Sequence, residues 1–353
     1  MLKSYMHKRE RHFAMLNDNR IVRPFEWGPE YIKEYIDEFH AVGSEGASSN
    51  GNSNGGWPGD VFRAHTEWAL AEDSKFFELA EIDGFALNDG ILTWPSAVKT
   101  PAPENNIARA AYFPHEEKRA AVVVLPHWNA QAGSYFDLCK IMNRVGLGTL
   151  RLTMPYHEER MPPELERADF LVSSNVGRTL QSVRQAVLDT RSAVRWLKQQ
   201  GYEKVGIVGT SIGSCTAFLA AVHDPGIDAA VFNHVSGYFA DVVWHGLSTY
   251  HVREGLEKAV TLDELRRYWL PISPLAHLDK LKRQPPRPMR FIYTLYDLTF
   301  PLDLSYQVKD AFANIGYPAK FSWLPCGHYT LGETPWKFLD GWKIVSFLRS
   351  NLR

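Results

Sequence analysis

The chain has 353 residues, 45% hydrophobic and 22% charged, with a formal net charge of -1, so it can bury a sizeable core as one large α/β domain with insertions or as two ordinary domains. The balanced charge gives no general electrostatic case for nucleic acid or an anionic membrane surface as partner. Three cysteines, Cys139, Cys215 and Cys326, lie far apart without a C-x-x-C pair, which argues against a disulfide framework and a structural zinc site. No segment approaches the roughly twenty apolar residues of a membrane span, and the N-terminus has no apolar run of signal-peptide length. A soluble chain in a reducing, cytoplasmic compartment is the expectation.

Residues 1–89 read as an N-terminal extension, unlike the remainder, 90–353. Ile32, Tyr35, Ile36 and Phe39 share one face of a helix predicted over 29–39, and Phe76, Phe77 and Leu79 mark a second, short helix over 73–80. Between them, residues 43–59 have the Gly/Ser/Asn-rich composition of a flexible loop, either a solvated connector or a mobile flap carrying Trp57. From Ile91 the periodicity changes to strands alternating with helices. Strands are predicted over 107–113, 120–125 and 148–154, with a helix over 130–144. A long helix over 179–200 ends at Gly201, a good residue for the left-handed position after a helix. The short apolar strand Val205 to Val208, a helix over 214–222 and a strand over 228–235 follow.

Residues 236–287 interrupt this rhythm. They place Trp244, Leu247, Tyr250, Leu256, Leu265, Tyr268, Trp269 and Leu270 in helix-like segments before a Pro-rich exit at 285–288, and read as an inserted helical cap. A strand over 290–296, a helix over 302–315 and a strand over 319–324 resume the pattern. The last helix takes Thr334 as N-cap and Pro335 as first residue, with Phe338, Trp342, Val345 and Leu348 directed inward.

Gly209-Thr210-Ser211-Ile212-Gly213 fits the G-x-S-x-G nucleophile elbow and has the context it requires, a strand before and a helix after. A serine on such a turn projects its hydroxyl above the sheet, and the helix that starts there points free N–H groups and its positive dipole end at any oxyanion formed. A hydroxyl is a weak nucleophile and needs a general base oriented by a carboxylate. Asp297 follows one late strand and His328 the next, inside Pro325-Cys326-Gly327-His328-Tyr329. Parallel strands deliver such post-strand residues to one sheet edge. Asp241 and Asp303 are rival carboxylates. His115-Glu116-Glu117 and His157-Glu158-Glu159 lack the second histidine of H-E-x-x-H, so no metal is expected. Cys326 reads as small packing material.

The elbow, the Ser, Asp, His order, the Asp-x-x-x-Pro context of Asp297 and the Gly-His-Tyr context of His328 resemble the α/β-hydrolase superfamily over roughly residues 90 to 353. They look more like its dienelactone-hydrolase, acetyl-esterase and prolyl-oligopeptidase branch than like the lipases. Residues 154–162, Met-Pro-Tyr-His-Glu-Glu-Arg-Met-Pro, also resemble α/β-hydrolase domain-containing proteins. The resemblance implies a mostly parallel eight-stranded sheet flanked by helices, with the cap inserted after the sixth strand.

The resemblance departs at the oxyanion loop, where many esterases carry His-Gly-Gly-Gly and this chain has Pro126-His127-Trp128-Asn129. Ile212 is the expected first oxyanion donor; Trp128 or Asn129 is the second by position. His127, Trp244 and Trp269 are expected to contact substrate. The implied activity is hydrolysis of a carboxylic ester, of a small molecule or a lipid, without cofactor, through an acyl-enzyme on Ser211 with His328 and Asp297. Amidase or thioesterase action by the same groups, or a non-catalytic binding protein of the same fold, are the alternatives. Haloalkane and epoxide hydrolases need a carboxylate at the elbow, which Ser211 excludes.

Overall fold

The computed structural model describes residues 2–16, 18–35 and 58–353. The expected helix over 29–39 is therefore described only to Tyr35, where it begins as a short 3-10 turn, Pro29–Ile32. Most of the loop expected over 43–59, with Trp57, lies outside the described residues.

The strands are β1 (Ala86–Asn88), β2 (Ile91–Pro95), β3 (Ile107–Phe113), β4 (Ala120–Leu125), β5 (Gly148–Thr153), β6 (Lys204–Thr210), β7 (Ala229–Asn233), β8 (Met289–Thr294) and β9 (Lys320–Leu324). They form one sheet in the order β1-β2-β3-β5-β4-β6-β7-β8-β9. The first three strands and the β3–β5 pairing are antiparallel; from β5 to β9 every pairing is parallel. Parallel strands are covered on both faces, which is why β4 reads as an unbroken apolar run and β7 as one up to its last residue, Asn233, and why both are buried at every position. Alternation divides β4 between two cores: Ala121, Val123 and Leu125 join one apolar cluster, Ala120, Val122 and Val124 the other.

The helices are α1 (Leu2–Ala14), α2 (Pro58–Leu70), α3 (Phe136–Arg144), α4 (Val176–Gln199), α5 (Ile212–His223), α6 (Phe239–His245), α7 (Tyr250–Leu256), α8 (Leu262–Tyr268), α9 (Leu278–Lys282), α10 (Leu302–Asn314) and α11 (Trp336–Leu352). Residues of α3, α11 and α1 cover one face, and those of α2, α4, α5 and the 236–287 helices the other. The α4 helix is capped by Asn175, whose side chain accepts the Arg178 N–H.

Several elements differ from the sequence reading. The segment over 73–80 is not helical, although Phe76 and Phe77 are both buried. Its carbonyls are instead taken by arginines along α4, Arg184 to Phe76, Arg191 to Phe77 and Arg195 to Ala80. The helix expected from residue 130 starts at Phe136, because Gly133 and Tyr135 adopt positive φ of 80° and 71°. On α11 the buried residues are Ile344, Val345, Phe347, Leu348 and Leu352, while Phe338 and Trp342 are 64% and 65% exposed on the opposite side. That helix begins at Trp336 with Pro335 as N-cap. Helices α1 and α2 were not anticipated; in α1 only Met6, Glu10 and Ala14, spaced by four, are buried.

Candidate active site

Ser211 sits between β6 and α5 with φ 57° and ψ -125°, a conformation that a side-chain-bearing residue adopts only when its surroundings impose it. The Ser211 N–H donates to the Asn233 carbonyl at the end of β7 (2.8 Å), and the Ser211 carbonyl accepts the Ser214 N–H (2.8 Å). The turn closes because its flanks lack side chains. A Cβ on Gly209 would strike the Gly213 carbonyl, and one on Gly213 would lie 2.5 Å from the carbonyl oxygens of Leu125 and Pro126.

Asp297, in the turn after β8, is buried and accepts five contacts. Its Oδ1 takes the N–H groups of Thr299 (2.8 Å) and Phe300 (2.7 Å). Its Oδ2 takes the Thr294 hydroxyl (3.1 Å) and His328 Nδ1 (3.2 Å), and His234 Nδ1 stands 3.1 Å away but poorly directed for a hydrogen bond. Burial pushes the Asp297 pKa up, but the charge of His328, then the close approach of His234 and the hydrogen bond from His328, outweigh it and hold the carboxyl well below its ordinary range. Burial lowers the His328 pKa, yet the Asp297 charge and hydrogen bond leave it raised. His234, fully buried after β7, is lowered by burial despite Asp297, which keeps it neutral. A histidine whose Nδ1–H is held by a carboxylate leaves Nε2 free to accept a proton. Among the described residues, the side chains spaced for a metal ion are this same trio, His234, Asp297 and His328, with ligand atoms within 4.8 Å of one another.

Ser211 and His328 open into a cavity of about 730 Å³, lined also by His127, Trp128, Asn129, Ile212, Phe239 and Val243. Ile212 is the first residue of α5, so its N–H has no acceptor within the helix. The loop carrying Trp128 and Asn129 is fixed from outside. The Asn129 N–H donates to His157 Nε2 (2.8 Å), whose Nδ1–H donates to the Pro155 carbonyl (2.9 Å). Asn129 Oδ1 accepts the Ala168 N–H (2.8 Å), and Trp128 Nε1–H donates to the Ala168 carbonyl (2.9 Å). Burial depresses His157 to about 3, consistent with an imidazole that must keep one lone pair for Asn129.

A family model described as alpha/beta hydrolase domain containing 18 matches residues 106–267. Among solved structures, the acylaminoacyl peptidase of Pyrococcus horikoshii is 15% identical with a TM-score of 0.56, covering 78% of this chain and 43% of that one. Acetyl xylan esterase from Paenibacillus sp. R4 is 12% identical with a TM-score of 0.56, covering 84% of this chain and 96% of that one. The chain has the α/β-hydrolase fold. A carboxyl esterase from Bacillus coagulans, 14% identical with a TM-score of 0.51, covers 77% of this chain and 100% of its own. The chain spans under half of the peptidase's length, and at these identities the likeness is one of fold. No curated protein matches the chain by sequence.

Within this hydrolase fold, the expected site residues part company. Ser211, Ile212, His127, Trp128, Asn129 and His328 line one cavity, with Asp297 behind His328. Asn129 is corrected as an oxyanion donor, since its N–H already serves His157. Trp244 and Trp269 are corrected as substrate contacts: neither lines the cavity. Trp269 is fully buried and donates Nε1–H to the Val176 carbonyl (3.1 Å), while Trp244 lies beneath the Arg253 guanidinium. The cap face that does reach the cavity is Phe239, Val242 and Val243 of α6, spaced i, i+3, i+4, and Trp244 falls one position off that stripe. Of the rival carboxylates, Asp241 is bound to Arg266 (2.6 Å) and Asp303 is exposed in the first turn of α10. Cys326 is buried and its thiol pKa is pushed up by burial.

Two polar residues of this region had no part in the sequence reading. His234 follows β7 and so shares the sheet edge with Ser211, a placement that strand order alone could have signalled. Asp340 of α11 lines the cavity, accepts the Asn233 side-chain N–H (2.9 Å), and is raised to about 7 by burial; only the helix docking brings it there.

Proposed function

We propose that this protein is a serine hydrolase that cleaves a carboxylic ester through an acyl-enzyme on Ser211. One observation carries the reading: an elbow serine in a strained conformation and a histidine held by a buried carboxylate open into one cavity. In this mechanism His328 Nε2 takes the Ser211 proton as Oγ attacks the ester carbonyl, and Asp297 holds the Nδ1–H tautomer and stabilises the imidazolium. The N–H groups of Ile212 and Trp128 receive the oxyanion. The proton passes to the leaving alkoxide, and water, activated by the same histidine, releases the acid. Phe239, Val242 and Val243 on one wall, with Val172 and Ile344, favour an apolar acyl group of a small-molecule or lipid ester.

A fluorophosphonate probe should label the wild-type chain on Ser211, and Ser211→Ala should lose both labelling and p-nitrophenyl ester turnover with its melting temperature retained. Full labelling of the alanine variant would refute the assignment. Amide and thioester analogues of the best ester rank the bond classes.

A further inference from the structure

We propose that Glu10 of α1 is a positioning residue for His328, its carboxylate clamping the loop that carries the histidine. This rests on the serine-hydrolase reading above. Glu10 is 0% exposed, although it lies in a helix whose other charged residues face outward. Its Oε2 accepts the Tyr329 N–H (2.9 Å), and its Oε1 accepts the Thr330 N–H (2.9 Å) and the Thr330 hydroxyl (2.7 Å). The Thr330 oxygen in turn accepts the Gly327 N–H (2.7 Å). The backbone amides on both sides of His328 are thus tied, directly or through Thr330, to one carboxylate more than 300 residues earlier in the chain. Gly327 leaves the space: a Cβ there would collide with the Glu10 carboxylate.

An anchor for the helix alone does not need this residue. Glu10 lies between Met6 and Ala14 on the buried face of α1, where a leucine would bury apolar surface without the cost of desolvating a charge. Among the described residues no ion pair reaches it, and its compensation comes from the N–H and O–H groups of the histidine loop. A carboxylate held by several such donors is strong and directional, so it restrains a post-strand loop that otherwise has the mobility of its kind. The clamp is also electrostatic. With Asp297, the Glu10 charge raises the proton affinity of His328. The other titratable groups facing His328 are His234, His127 and Tyr329, and those near Glu10 are His7 and the Cys326 thiol. Phe13, Ala14 and Leu16, immediately beyond, line the cavity, so α1 forms part of the site's wall as well as its support.

The test compares the full chain with Glu10→Gln, Glu10→Asp and Met6→Ala. Because a 1 Å misplacement costs about a hundredfold, kcat/KM of Glu10→Gln should fall by roughly tenfold to a hundredfold, in kcat more than KM. Loss of the charge should move the acid limb of the pH profile to lower pH, and the Tyr329 and Thr330 amides should exchange faster. Glu10→Asp keeps the charge but is one methylene short, so it should lose rate with the limb little moved; it also decides the matter if Glu10→Gln does not fold. Met6→Ala loosens the same helix and should lower the melting temperature with the limb unmoved. His328 is also titrated by NMR in a Ser211→Ala background, independent of turnover. A wild-type chain inactive on every ester overturns the ester reading alone. An unchanged His328 midpoint together with unchanged amide exchange in Glu10→Gln overturns the clamp.

Discussion

Replacing Asp297 by asparagine tests the acid at its least ambiguous point, because the surroundings dictate how the introduced amide must sit. Oδ1 faces the N–H groups of Thr299 and Phe300 at 2.8 and 2.7 Å, so the amide oxygen must take that place and its NH2 must turn toward His328 Nδ1. That NH2 then donates where the carboxylate accepted, and the histidine is driven to the tautomer with its proton on Nε2. An imidazole protonated there cannot receive the Ser211 proton. The expected loss is about 10³ to 10⁴ in kcat/KM, roughly 4 to 5.5 kcal/mol of transition-state stabilisation. The fold should survive, since two of the hydrogen bonds persist. The assay is kcat/KM for a p-nitrophenyl ester across about pH 5 to 9, beside the melting temperature. Asp241→Asn is the companion: it weakens the Arg266 pair at 2.6 and 3.1 Å and should cost stability with kcat/KM nearly unchanged. An Asp297→Asn chain retaining more than about a tenth of kcat/KM, or a larger loss in Asp241→Asn, refutes the reasoning.

Phe239→Ala, which opens the cavity wall, should lower kcat/KM for long acyl chains more than short ones by about 1 to 3 kcal/mol, whereas Trp269→Ala, deep in the core, should cost about 3 to 5 kcal/mol of stability; matching chain-length profiles in the two variants would contradict this division. Acid should destabilise the chain at pH values still above the ordinary carboxylate range. Burial depresses His65 and His157 to about 3, His251 to about 3, His127 and His277 to about 4, and His223 to about 2. Above the ordinary histidine range both states are neutral and the stability is whole. Between about pH 6.5 and 4 the unfolded chain takes up protons that the folded chain refuses, a loss approaching 1.4 kcal/mol per pH unit for each such histidine. Raised Asp340, Asp189 and His328 act in the opposite direction but are fewer, so urea midpoints should fall from pH 7.5 to 5, and a flat profile would disprove the balance.

Much of the parallel sheet was legible because burial on both faces leaves a plain trace, as in the all-apolar β4, and because G-x-S-x-G encodes a local backbone demand: Gly209 and Gly213 are needed wherever that turn closes. The post-strand positions of Asp297 and His328 follow from chain order and the shared edge of a parallel sheet. Side-chain direction was not legible. Trp244 and Trp269 are as apolar as Phe239 and Val243, and only the rotation of each cap helix against its neighbours decides which of them meets the cavity. Asn129 carries a backbone N–H like Trp128, yet His157, 28 residues on, removes it as a donor. Glu10 gave no signal, being one acid among the basic residues of a polar helix; its place beside Tyr329 and Thr330 exists only once α1 has docked. Strand identity and turn chemistry are set by forces a few residues long, whereas which polar groups meet is set by packing between segments hundreds of residues apart, and that is where the tertiary structure alone decided.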